Sequence, residues 1–196
     1  MKRIFDMVMA TVGLVIWGPL LLWIARKIKL EDGGPVFYRG VRVGLHGKPF
    51  RIFKFRSMVV NADKIGPFST ASEDPRITRI GRWLRARKLD ELPQLMNVLS
   101  GDMSFVGPRP EVKKFTDMYT IEEKAIWTVR PGITDWASIW NSDEGAILAG
   151  AADPDQAYLE LIRPEKLRLQ LKYVRERSFM MDIRIIFQTL LKLSQV

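Results

Sequence analysis

Residues 2–30 read KRIFDMVMATVGLVIWGPLLLWIARKIKL, and this stretch decides what kind of protein the chain is. From Met7 to Ala25 it runs 19 residues without a charge, close to the roughly 20 that cross a bilayer. The run is longer than the roughly 7–15 residues of a signal-peptide core, and no small-residue cleavage site follows it. Lys2 and Arg3 precede it, and Arg26, Lys27 and Lys29 follow it. Positive flanks favour the cytoplasmic side, so both ends call for the same face. Gly18-Pro19 stands in the middle. Pro19 lacks an N–H, which deprives the Val15 carbonyl of its helical donor. A helix that enters the bilayer, breaks at Gly18 and Pro19 and returns to the same face fits both facts. A single span with a proline kink is the alternative.

The remaining composition narrows the chemistry. The 196 residues include no cysteine and one histidine, His46, which removes thiolate nucleophiles, iron–sulfur clusters and multi-histidine metal sites. Thirty-one Lys and Arg against 22 Asp and Glu give a net charge of +9, so an anionic partner is expected: nucleic acid, an anionic membrane or a phosphorylated substrate. No nucleic-acid-binding motif is present.

After the anchor, Asp32-Gly33-Gly34-Pro35 breaks the chain. Val36–Tyr38 and Phe50–Phe55 predict strands, with the two-glycine segment 42–48 as the loop of a small β-hairpin. Residues 61–74 read as a surface loop or short helix. From Ile77 the pattern is helical, with Ile80, Trp83 and Leu84 on one side. Gly107–Pro110 and Arg130–Gly132 predict stiff turns, and Tyr158–Val174 a helix disturbed near Pro164. Ser178 is placed to cap a last helix whose apolar residues, Met180 to Leu193, oppose Arg184, Gln188 and Lys192. That helix suits either a membrane interface or a protein core. The sum is an α+β, mostly helical fold: a membrane anchor over 1–30 and a second domain over 31–196.

The chemical centre is expected at Arg85-Ala-Arg-Lys-Leu-Asp90-Glu91-Leu-Pro93. Pro93 suits a first helical turn, so a helix is predicted to begin near Asp90, with Asp90 and Glu91 at its positive end. Arg85, Arg87 and Lys88 add positive charge, which favours an ionised carboxylate. Such a carboxylate suits attack at phosphorus or binding of Mg²⁺ against a diphosphate. It suits a simple helix cap equally well.

Several motifs occur in a fixed order: Lys2–Asp6 (KRIFD), Lys54–Met58 (KFRSM), Asp74–Gly81 (DPRITRIG), Leu89–Leu95 (LDELPQL), Gly101–Pro110 (GDMSFVGPRP) and Arg130–Thr134 (RPGIT). Together they resemble the bacterial sugar transferases, the monotopic polyprenyl-phosphate phosphoglycosyl transferases, in their small catalytic form. The resemblance implies a re-entrant anchor and amphipathic interfacial helices on the cytoplasmic face of the bacterial inner membrane. It implies that Asp90 attacks the β-phosphate of a UDP-sugar, releasing UMP and leaving a covalent aspartyl-phosphosugar. Glu91 then helps deprotonate the polyprenyl (undecaprenyl) phosphate that accepts the phosphosugar. Mg²⁺ is implied beside Asp90 and Glu91. Arg85 matches the family's arginine upstream of the dyad and is the first candidate for a phosphate ligand. Arg109, held between prolines, is a second candidate, and Lys54 and Arg56 are further ones.

Arg76 and Arg79 fit phosphate contact or a structural salt bridge equally, and His46 fits a surface position. The expected partners are the UDP-sugar, polyprenyl phosphate and membrane lipid, with a homo-oligomer left open. Gly40-Val41, Asp135, Ser138-Ile139 and residues 141–156 depart from the family's common pattern, so they bear on which sugar is used. A basic membrane-tethered module without catalysis is the alternative class, but it gives no role to Asp90-Glu91 beside Arg85.

Overall fold

A computed structural model describes residues 1–194. They are mostly helical, with short strands in three pairs. Helix α1 spans Lys2–Asp32, 31 residues, and ends at Gly33, whose φ of 72° supplies the left-handed cap. It runs through Gly18-Pro19 without interruption. The Thr11 hydroxyl donates to the Met7 carbonyl at 2.9 Å, so it does not serve the Val15 carbonyl freed by Pro19.

Both ends of α1 dock on the same folded unit. At the start, Lys2 pairs with Asp182 at 2.6 Å, and buried Asp6 accepts from the Ser104 hydroxyl at 2.8 Å. At the end, Asp32 pairs with Arg56 at 2.5 Å, and Glu31 accepts from the Arg79 backbone N–H at 3.0 Å. Between them Ala10, Ile24 and Ile28 are buried in two apolar clusters. The opposite side is bare: Leu22 is 75% exposed and Val15 73%.

The hairpin forms, but in two pieces. Strands β1 (Phe37–Tyr38) and β2 (Val41–Val43) pair antiparallel with β4 (Lys54–Phe55) and β3 (Pro49–Arg51) respectively. The break between them is held from outside by fully buried Asn97, which accepts from Phe53 N–H at 2.7 Å and donates to the Arg51 carbonyl at 2.9 Å. Helix α2 (Arg79–Ala86) is capped by the Thr78 hydroxyl, which accepts from Gly81 N–H. Its Leu84 is buried with Ile24, Ile28 and Phe55. Helix α3 (Gln94–Ser100) carries Asn97. Strands β5 (Ser104–Val106) and β6 (Gly132–Thr134) form a parallel pair that the sequence patterns did not announce. The two predicted stiff turns are the ends of this pair. They meet where Gly107 and Gly132 stand back to back, since a Cβ on Gly132 would lie 2.1 Å from Gly107 N.

The rest is helical: α4 (Lys113–Thr116), α5 (Trp136–Trp140), α6 (Glu144–Ile147), α7 (Pro154–Ala157), α8 (Arg163–Glu176) and α9 (Phe179–Leu193). The predicted disturbance near Pro164 is a π turn, Tyr158–Ile162, that joins α7 to α8. Ser178 caps α9 as expected, accepting from Met181 N–H at 3.2 Å. The apolar side of α9 divides. Met181, Ile185 and Ile186 pack with Val106 and Tyr173, whereas Met180 is 75% exposed and Phe187, Leu190 and Leu191 also face outward.

Candidate active site

The segment from α2 to α3 runs back along α1. It starts at Glu31, buries Leu84 beside Ile24 and Ile28, and ends with Arg3 donating to the Val98 and Leu99 carbonyls of α3. Leu95 lies against Gly13, where a Cβ would come 3.1 Å from its Cδ1. The Asp90-Glu91 turn between α2 and α3 therefore sits over the middle of α1, and Leu89 packs in the cluster that holds Leu20 and Leu21.

The predicted helix start near Asp90 is displaced. Lys88 adopts φ 55°, a left-handed conformation uncommon for a side-chain-bearing residue, and this stops α2 from continuing. Leu89–Glu91 then form one 3-10 turn, and α3 begins only at Gln94, without a side-chain cap. Asp90 is thus neither a helix cap nor at the positive end of a regular helix. Its environment is set by burial instead. Desolvation pushes the Asp90 carboxyl above the usual carboxylate range. Lys54 opposes that rise, Glu91 adds to it, and Arg85 and Arg109 oppose it further. The expected influence of the neighbouring cations is present, but burial outweighs it in direction. Among the described residues its carboxylate forms no hydrogen bond or ion pair.

Glu91 has the opposite fate. Its Oε1 accepts from Lys54 Nζ at 2.6 Å and from Arg109 Nη2, and its Oε2 accepts from Arg109 Nη1 at 2.9 Å. Burial alone would raise its pKa, but the charges and hydrogen bonds of Arg109 and Lys54 hold it well below the usual range. Burial also pulls Lys54 down, and Glu91 offsets only part of this. The side chains of Lys54, Glu91 and Arg109 keep 21%, 19% and 29% exposure, so a substrate can reach them.

Each partner is placed by backbone rather than by chance. Lys54 is on β4, whose approach is set by Asn97. Arg109 follows the Gly107–Gly132 crossing. Its N–H donates to Asp135 at 3.0 Å and its Nη1 to the Ile133 carbonyl at 3.3 Å. Fully buried Asp135 also accepts from Gln170 at 3.0 Å and caps α5 through Ser138 N–H at 2.7 Å. Asp135 and Gln170 were not singled out as site residues by sequence. The only signal was that Asp135 departs from the family's usual glycine.

The other candidates separate. Among the described residues Arg85 forms no ion pair, and its charge reaches Asp90. Arg56 is elsewhere: both of its terminal nitrogens hold Asp32 and its Nε donates to the Pro35 carbonyl, which fastens the end of α1. Arg56 is thus not available to a phosphate at this site. Arg76 is also structural, bonded to Asp74 and to the Ala62 and Pro67 carbonyls. His46 is an exposed loop residue. Gly18 and Pro19 lie within α1.

Among the described residues no three His, Asp or Glu side chains gather to hold a metal. Both Glu91 oxygens are taken by cations, so Glu91 does not fit the expected role of metal ligand. Asp90 has free oxygens and fits. One carboxylate with substrate phosphates is an ordinary way to hold Mg²⁺.

The site is thus a free carboxylate among three cations, set over an apolar helix with a bare outer side. The whole-chain comparison gives the family: residues 1–195 match the model of the bacterial sugar transferases, and the chain belongs to that family. It is 39% identical over 202 residues to an Escherichia coli K12 UDP-glucose:undecaprenyl-phosphate glucose-1-phosphate transferase, covering 98% of this chain and 40% of that protein. It is 38% identical to an Aeromonas hydrophila UDP-N-acetylgalactosamine-undecaprenyl-phosphate N-acetylgalactosaminephosphotransferase, over 96% of this chain and 42% of the relative. It is 37% identical to the uncharacterized sugar transferase EpsL of Bacillus subtilis, covering 86% of it. The chain thus spans less than half the length of the first two.

Proposed function

We propose that the protein is a polyprenyl-phosphate sugar-1-phosphate transferase that works through a covalent aspartyl-phosphosugar. The free, buried Asp90 carboxylate among Lys54, Arg85 and Arg109 carries this assignment, because an acid with no partner of its own is placed where a diphosphate would be neutralised. An Asp90 oxygen attacks the β-phosphorus of a UDP-sugar. The bond from that phosphorus to the bridging oxygen breaks, and UMP leaves with the electron pair. An oxygen of undecaprenyl phosphate then attacks the same phosphorus, breaks the aspartyl bond and restores the carboxylate. The product is an undecaprenyl-diphosphate sugar.

Arg85, without an ion pair among the described residues, is ready for the diphosphate. Arg109 and Lys54 are held by Glu91 and can share their remaining donors with phosphate oxygens. Glu91 is better suited to positioning these two cations than to the expected role of base. Its oxygens are occupied and its basicity is low, and a phosphate monoester with its second pKa near ~6 is already largely dianionic at neutral pH. Mg²⁺, held by Asp90 and phosphate oxygens, would supply charge neutralisation.

The docking of both ends of α1 supports a monotopic, cytoplasmic-face reading. The folded unit follows α1 along its length, from Asp182 at Lys2 to Arg56 at Asp32, so both ends of the helix belong on the same face as that unit. The bare outer side of α1 can then enter the lipid while both ends stay on one face. The exposed side of α9 adds an interfacial surface. The test is UMP release and lipid product from the detergent-solubilised protein, given Mg²⁺, undecaprenyl phosphate and a panel of UDP-sugars. Absence of UMP release with every sugar would end the proposal.

A further inference from the structure

The positive charge of this chain is not spread evenly. None of the lysines and arginines at positions 26–29 and 79–88 is ion-paired among the described residues, although eleven salt bridges form with cations elsewhere. At the centre of this unneutralised belt stands an aromatic pair. Trp23 of α1 and Trp83 of α2 meet edge to face, with ring centroids 5.7 Å apart. Each ring carries a cation: Lys27 lies 5.5 Å from Trp23, and Arg87 lies 5.0 Å from Trp83. The charged heads, Lys27 Nζ and Arg87 Cζ, lie over the ring faces, and with no carboxylate partner among the described residues their other donors remain available to an anion.

The position of the cluster selects the anion. Trp23 is 46% exposed and adjoins Leu22 on the bare outer side of α1. Indole rings with basic neighbours settle where lipid headgroups lie. On its other flank, Arg87 and Lys88 lead directly into the Asp90 turn. A ligand that touches lipid at one end and Asp90 at the other is a membrane lipid carrying a phosphate. A nucleotide sugar would approach from water.

We infer that Trp23, Trp83, Lys27 and Arg87 form a docking site for the phosphate headgroup of the lipid acceptor, where it waits before reaching Asp90. This rests on the transferase reading above. Two cations suit a phosphate monoester, whose charge at neutral pH is about −1.5 to −2. They suit the single charge of a bulk phospholipid less well.

The test uses the full chain with Lys27→Gln and Arg87→Gln combined; both residues are exposed, so the fold tolerates the change. In mixed micelles the KM for undecaprenyl phosphate rises roughly tenfold or more, as expected for lost charge-assisted contacts, while the KM for the UDP-sugar moves far less. A binding arm needs no turnover. In an Asp90→Asn background, retention of the protein is measured in mild detergent on a resin bearing undecaprenyl phosphate, and separately on one bearing phosphatidylglycerol at equal charge. The double change weakens retention on the first selectively. Equal weakening on both would make the cluster a general anionic-lipid surface and overturn the inference. So would an unchanged acceptor KM, or retention unaffected on both. If no UDP-sugar is ever turned over but selective binding persists, the transferase reading fails and the lipid-phosphate site stands.

Discussion

Breaking the Glu91–Arg109 fork gives the sharpest test of the site's geometry. Arg109 donates to both Glu91 oxygens, and the two side chains keep only 29% and 19% exposure. A hydrogen bond to a charged group contributes about 1.5–3 kcal/mol, and this fork makes two. Arg109→Ala leaves Glu91 with Lys54 alone, so part of the loss is recovered by the remaining cation. Glu91→Gln leaves an uncharged acceptor for both donors. A double-mutant cycle with Arg109→Ala, Glu91→Gln and the combination isolates their coupling, expected at about 2 kcal/mol. The readout is equilibrium urea unfolding of the four proteins in one mild detergent. Arg109→Lys keeps the charge but loses the fork, so it should recover less than half of the Arg109→Ala loss. Independent sites add to within about 0.5 kcal/mol, so a coupling below that would show that the fork is not formed and that Glu91 is free to act as a base after all.

Asp90→Asn should abolish the covalent adduct and yet raise the melting temperature, because burial disfavours the charged acid; a fall in melting temperature would contradict its raised pKa. The same shift sets the acid limb of the single-turnover adduct rate. The rate should rise with pH through a pKa above the ~3.9 of an ordinary aspartate, and an acid limb at or below that value would contradict the assignment. Arg85→Ala should lower kcat/KM roughly ten- to hundredfold with little change in unfolding, whereas Arg76→Ala should mainly destabilise, by about 3 kcal/mol, as it strands Asp74, only 8% exposed. Equal catalytic losses per folded molecule would misplace the phosphate site. Asp32, held at about 2 by hydrogen bonds from Arg56, contributes stability that is fully present above ~4 and lost as pH falls toward 2; Arg56→Met should flatten that part of the unfolding profile. Cysteines placed ahead of Met1 and at Lys29 in this cysteine-free chain should both be shielded from an impermeant reagent in intact cells, and labelling of one alone would mean that α1 spans the membrane.

The amino-acid sequence alone determined the long apolar first segment, the hairpin, the cap at Ser178, the adjacent Asp90-Glu91 pair and the family. These are local properties: an uncharged run with basic flanks, period and turn chemistry over a few residues, and motifs in a fixed order. It could not show that β5 and β6 pair, because parallel strands join positions far apart in the chain, and only the closeness of Gly107 to Gly132 reveals the crossing. It could not sort the arginines either. Arg56, Arg76, Arg85 and Arg109 look alike as residues, but a guanidinium's role depends on which carboxylate it meets, and Asp32, Asp74 and Glu91 are assigned to them only by folding. The inversion within the dyad has the same origin. Asp90 and Glu91 are neighbours, yet one is left without partners in a desolvated turn and the other is gripped by two cations from distant strands and loops. Solvation and charge pairing are set by what surrounds a side chain in space, and the tertiary structure alone decides that.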